Sequence, residues 1–134
     1  IESWKKEKKV LKEKLKTKSD YVKELQKQVN YFIRQRDKNK PCISCGKPLI
    51  KKFDAGHYRS AGGNPELRFE ELNIHGQCVY CNQHLHANLI NYRIGLIKRI
   101  GVEKVEWLEK KHEPKHYTIP ELKELIKEYK LKNK

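Results

Sequence analysis

The sequence predicts an α+β fold that is mostly helical, with a zinc-stapled core between a long basic amino-terminal helix and carboxy-terminal helices. Three observations lead there. Residues 4–36 contain no Gly or Pro and are dominated by Lys, Glu, Leu and Gln, all good helix formers. Four cysteines form two C-x2-C pairs, Cys42/Cys45 and Cys78/Cys81, separated by 32 residues. Between the pairs the chain is short and broken, with one brief strand readable from about Leu49 toward Tyr58. The chain of 134 residues therefore divides into a basic helix (1–40), a metal-bound core (41–100) and terminal helices (101–134).

Along the first helix, apolar residues fall at Trp4, Leu11, Leu15, Val22, Leu25, Val29 and Phe32, gaps that fit a heptad seam. Lys8 and Lys18 fall on the same seam and weaken it. Its richest half, Val22 to Phe32, must pack on something, either a second copy of the chain or the rest of its own chain. Pro41 ends the helix. After the strand, "SAGGNP" is a loop. A helix should begin near Cys81, run past Leu89 and stop at Gly101. A short helix follows in "VEKVEWLEKK", and the last one opens on Thr118-Ile119-Pro120-Glu121, a capping box with Pro in the first turn.

Hydrophobic residues make up only 37% of the chain and charged residues 36%, so the core is small and needs a staple. Two C-x2-C turns can complete a tetrahedral four-cysteine zinc site. Two disulfides or a dithiol redox pair are the alternatives. No secretory signal is visible and the pairs are matched, which favours zinc. Four thiolates fill the zinc shell, so any catalysis needs other residues.

Formal net charge is +14, and residues 1–40 carry 14 Lys/Arg against 6 Asp/Glu. Such an excess suits a polyanion, with nucleic acid the first candidate, although a solvated lysine-rich face would also account for it. No stretch approaches the roughly 20 apolar residues of a membrane span. The chain begins at Ile1 rather than Met, so an amino-terminal address could precede it.

Polar residues with ligand chemistry gather around the cysteines. "DAGHY" holds Asp54 and His57, "NIHGQC" holds Asn73, His75 and Gln77, and Asn82, His84, His86 and Asn88 follow the second pair. If Cys81 opens a helix, Asn82 and His86 share one face and could hold one metal. Taken singly, each has a plainer role: a cap, a core histidine, a surface side chain.

The order His57, Asn73, Asn82, His86, threaded through the two C-x2-C pairs, resembles the HNH (ββα-metal) nucleases. The placement of Asn82 directly after the last cysteine is similar to the phage endonuclease VII junction resolvases. The run "CISCG…DAGHYRSAGG…LRFEELNIHGQCVYCN…YRIGLIKRIG" resembles more closely the NinG/Rap recombination proteins of lambdoid phages, over about residues 40–112. This resemblance implies an HNH-like core in which His57 is the general base, Asn73 orients its ring, and Asn82, with His86 and Asp54, holds a catalytic Mg2+ or Mn2+. Asn88 or His84 could substitute for His86. Many HNH proteins carry an Asp directly before the base, whereas this chain has Gly56. Arg59 and Arg68 flank the site in sequence and could clamp phosphates, with Arg34 and Arg36 adding contacts from the basic helix.

The resemblance implies a DNA endonuclease acting on branched recombination intermediates such as Holliday junctions and D-loops, leaving 5′-phosphate and 3′-hydroxyl ends. A non-catalytic zinc-dependent DNA-binding module is the alternative, and an RNA-binding zinc protein is a third. A four-way junction offers two-fold related strands, so a homodimer paired along Val22–Phe32 is expected. The expected setting is cytoplasmic, in the host cell if the chain is phage-encoded.

Overall fold

Thr17 splits the expected long helix in two. The computed structural model describes residues 2–134, with α1 at Glu2–Lys14 and α2 at Lys18–Asp37. Thr17 is extended, and its hydroxyl accepts from the Asp20 amide at 3.3 Å. The Asp20 carboxylate accepts in return from the Thr17 amide at 3.0 Å. This reciprocal capping box starts a new helix where uninterrupted helix formers had predicted continuation. No residue of α1 is buried, and Trp4, Leu11 and Leu15 remain exposed.

The seam of α2 is filled by the chain itself. The last helix, Ile119–Lys132, opens on the expected capping box of Thr118 and Glu121. Its Leu122, Ile126 and Tyr129 pack against Tyr21, Leu25, Val29 and Ile33 of α2, together with Phe69 and Ile74. The buried row steps by four residues rather than by alternating three and four, so Tyr21 and Ile33 replace Val22 and Phe32 at its ends. Leu25 and Val29 of the expected pairing surface Val22–Phe32 are thus covered by the chain itself, the other of the two packings the sequence allows.

The sheet is a single antiparallel hairpin of β1, Phe53–His57, and β2, Ile74–Cys78. Asp54 pairs with Gln77, Gly56 with His75 and His57 with Ile74. The strand read from the sequence over Leu49–Tyr58 is thus shorter, because Pro48 bridges to Pro41 within the first cysteine turn. After β2, the predicted regular helix from Cys81 is absent. Tyr80–His84 forms one wide π turn, and His86, Ala87 and Asn88 all take positive φ before α3, Leu89–Ile100, begins. Gly101 ends α3 as expected, and α4 spans Val102–Glu109. We number the last helix α5. A second core joins α3 and α4 through Ile43, Tyr58, Leu67, Tyr92, Leu96, Val105 and Leu108. Gly95 allows that packing, since a Cβ there would lie 1.9 Å from the Ile43 carbonyl oxygen.

β2 is buried although three of its five residues are polar or glycine, because α2 supplies its partners. Asp37, fully buried at the end of α2, accepts from the Gly76 amide at 2.8 Å and from Arg36 Nε at 2.7 Å. Arg36 also donates to the Glu71 and Ile74 carbonyls. Arg99 approaches the same carboxylate at 3.7 Å. Burial pushes the Asp37 carboxyl up, but Arg36 and the Gly76 amide outweigh it and hold it at about 2. Its contribution is present above the ordinary carboxylate pKa and is lost as pH falls from about 4 toward 2. Asp37→Ala leaves Arg36 and Arg99 facing each other without their anion. It is expected to destabilise the fold by about 3–5 kcal/mol, read as a shift of the urea midpoint at neutral pH.

Candidate functional site

The four cysteines converge. Their Sγ atoms all lie within 4.8 Å of one another, the only such group of three or more His, Cys, Asp or Glu among the described residues. Cys45 Sγ and Cys78 Sγ are 3.8 Å apart. A disulfide requires about 2.05 Å, whereas the edge of a tetrahedron with metal–sulfur bonds of about 2.3 Å is about 3.8 Å. The Cys78 amide donates to Cys42 Sγ at 3.3 Å, and the Cys81 amide to Cys78 Sγ at 3.4 Å. Burial raises the Cys42 thiol, yet amide donors from Cys45, Cys78 and Ser44 bring it down to about 7. Burial pushes the Cys45 and Cys81 thiols up instead. Four sulfur donors at this spacing could hold a metal ion such as zinc.

Next to this cluster, β1 and the irregular turn after β2 enclose an open pocket of about 640 Å³, lined among others by His57, Arg59, Asn64, Asn82, His86 and Leu89. His57 Nε2 lies 2.9 Å from the Arg68 carbonyl oxygen. A carbonyl only accepts, so Nε2 carries the proton and Nδ1 keeps a free lone pair. Burial lowers the His57 pKa, so the ring is neutral at physiological pH.

Asn73 does not touch that ring, contrary to expectation. Its side chain accepts from the Arg59 amide at 2.8 Å and donates to the Arg59 and Leu67 carbonyls at 3.0 and 3.1 Å. It pins both ends of the loop between β1 and β2, and the Arg68 carbonyl that holds His57 belongs to that loop. Its influence on His57 is thus indirect.

Asp54 and Asn82 meet: the Asp54 carboxylate accepts from Asn82 Nδ2 at 3.0 Å and from Gln83 Nε2 at 2.9 Å. His86 lines the pocket with Asn82 but not on a shared helix face, because the left-handed turn carries it there. Asn88 donates to Cys81 Sγ at 3.6 Å and so belongs to the cysteine cluster. His84 is exposed and stacks on Tyr80. His75 is buried beside Arg36 and Arg99, outside the pocket.

The structure also explains the glycine before His57. A Cβ on Gly56 would lie 2.0 Å from Gln77 Oε1, so a side chain there would displace the buried Gln77 amide. Gln77 is fully buried and donates to the Ala87 carbonyl at 2.5 Å and to Ser44 Oγ at 2.9 Å. It props the left-handed turn against β2, a role that nothing in the sequence signals, because its partners Ser44 and Ala87 lie in other segments. Among the arginines, Arg36 is consumed inside the fold and does not face a ligand. Arg59 lines the pocket, and Arg34 and Arg68 line a groove on α2. The Nε atoms of Arg59 and Arg68 are buried without an acceptor among the described residues, which suits an incoming anion.

A family model described as Bacteriophage Lambda NinG protein matches residues 2–134. The chain belongs to the NinG family. Protein ninG of Escherichia phage lambda is 49% identical over 126 residues, covering 94% of this chain and 62% of its own length. Protein ninG of Salmonella phage P22 is 48% identical with the same coverage, and that of Escherichia phage 933W is 47% identical with 63% of its length covered. This NinG-family chain thus spans less than two thirds of these curated relatives. No solved structure matches it. No described helix of this NinG-family chain is long and apolar enough to cross a membrane.

Proposed function

We propose that this NinG-family chain is an HNH-type nuclease that hydrolyses phosphodiesters in branched DNA, Holliday junctions and D-loops being the substrate class its resemblance to junction resolvases suggests. The observation that carries the proposal is the state of His57. Its Nε2 is committed to the Arg68 carbonyl, burial holds its pKa below the ordinary histidine value, and the residue lines a pocket shared with Asn82.

In this reading His57 Nδ1 takes the proton from the attacking water. Asn73 keeps the loop, and through it the Arg68 carbonyl, in register. Arg59 binds the phosphate. The Asp54 carboxylate and the Asn82 side-chain oxygen, exposed by rotating the amide, fit a hard divalent ion such as Mg2+ or Mn2+, with His86 as a further donor. Such an ion supplies positive charge to the scissile phosphate and the departing 3′ oxygen. The four cysteines hold a structural zinc that fixes the turn carrying Asn82.

A second reading, a zinc-dependent DNA-binding module without catalysis, is favoured by one fact: apart from the cysteines, no three His, Cys, Asp or Glu side chains converge among the described residues. The two readings separate on metal dependence. Asp54→Asn and Asn82→Ala should each raise the Mg2+ or Mn2+ concentration for half-maximal cleavage by about tenfold or more, with zinc content unchanged. Unaltered metal dependence in both variants would remove this ligand pair.

A further inference from the structure

We infer that the exposed face of α2, continued by Lys51 and Lys52, is the track on which the sugar–phosphate backbone of a duplex DNA arm lies on its way to the pocket. The inference rests on the nucleic-acid reading above and names the surface that reading requires. Lys23, Lys27, Arg34 and Lys38 recur at intervals of four, seven and four. At about 100° per residue they fall within an arc of roughly 60°, away from the buried row Tyr21–Ile33. From Lys23 to Lys38 the stripe runs about 22 Å at 1.5 Å per residue, long enough to meet several successive phosphates of one strand.

Two adjoining grooves lie on this stripe. In the first, Lys23, Lys27 and Arg34 face Arg68. In the second, Arg34 and Lys38 are joined by Lys51 and Lys52, and the groove ends on Asp54. Arg34 belongs to both, so the surface is continuous. None of these seven cations takes part in an ion pair among the described residues. Some cations elsewhere, among them Lys16, Lys40, Arg93, Lys115, Lys130 and Lys132, have carboxylate partners, and the unpaired ones outside the track line neither groove. Unpaired charge arranged in a line is what a polyphosphate neutralises with release of counterions.

The track also reaches the proposed chemistry at both of its connections. Asp54, at the end of the second groove, bonds Asn82. Arg68 places its side chain in the first groove while its carbonyl holds His57. A phosphate seated on Arg68 therefore bears directly on the residue that orients the proposed base.

The test is the triple variant Lys27→Ala, Lys38→Ala, Lys52→Ala, whose side chains are exposed and unbonded, so folding is not at stake. Its control removes the same charge from exposed Lys104, Lys110 and Lys111. Fluorescence anisotropy with a labelled duplex and a four-way junction, without divalent ions and across a salt series, reads binding apart from cleavage. The track variant should lose at least about tenfold in affinity, and its log–log salt slope should flatten by about 0.9 for each contact removed. The control should follow the unaltered chain. Equal affinities and slopes for track variant and control would overturn the inference. So would failure of the unaltered chain to bind either DNA, or binding only of an acidic protein. A chain that binds through the track but never cuts leaves this inference standing and ends the nuclease reading. A track variant that cuts and binds normally does the reverse.

Discussion

His57→Ala is expected to lower cleavage by at least about a hundredfold while zinc content, thermal unfolding and DNA affinity stay unchanged. The ring is held by a single backbone carbonyl and lies at the edge of a pocket, so its removal leaves no core cavity. His57→Gln sharpens the test, because its amide can still donate to the Arg68 carbonyl but cannot accept a proton from water. The pH profile carries the same signature. Burial lowers the pKa of His57 below 6.5, so the deprotonated ring, and with it the rate, should be at its plateau above neutrality. The rate should fall as acid protonates the ring. Near-normal cleavage by either variant would remove the HNH assignment.

Cys42→Ser and Cys81→Ser are expected to abolish folding rather than trim activity. Apart from the cysteines, the small core around them contains only Leu49 and Phe53, and it anchors both the hairpin and the turn carrying Asn82 and His86. Binding of a structural zinc contributes about 10–16 kcal/mol in small zinc domains at neutral pH, comparable with the whole stability of a domain at about 5–15 kcal/mol. Native mass spectrometry should find one zinc per chain, and a strong chelator should collapse the near-ultraviolet circular dichroism. A fully folded chain without metal would contradict this part of the account.

The sequence announced some of this architecture and concealed the rest for identifiable reasons. The cysteine spacing was legible because four thiolates at two tight turns have few other uses. The α5 capping box was legible because Thr118, Pro120 and Glu121 are local signals. Thr17 and Asp20 form the same device but sit within an unbroken run of helix formers, so composition masked the break between α1 and α2. β2 was hidden because its polar groups find partners from distant segments: Asp37 for the Gly76 amide, Arg36 for His75 and Ser44 for Gln77. The same long-range pairing explains the site. Asp54 and Asn82 are 28 residues apart, and only the hairpin and the wide turn after it bring them together. Asn73 carries the expected residue type but acts on the loop, a difference of geometry that no motif records. Arg36 was read as a surface cation because the buried carboxylate beside it, Asp37, looks like an ordinary helix end in sequence.

The central claim, that this NinG-family chain cuts DNA with a metal ion, is tested most directly by one measurement. A four-way junction labelled on each strand is incubated with the chain and Mg2+ or Mn2+, binding being verified in parallel on the same junction. The account predicts strand cleavage that requires the divalent ion, leaves 5′-phosphate and 3′-hydroxyl ends, and disappears in His57→Ala. Tight, salt-sensitive binding of the junction with no cleavage by either ion would contradict it and leave a zinc-dependent DNA-binding module.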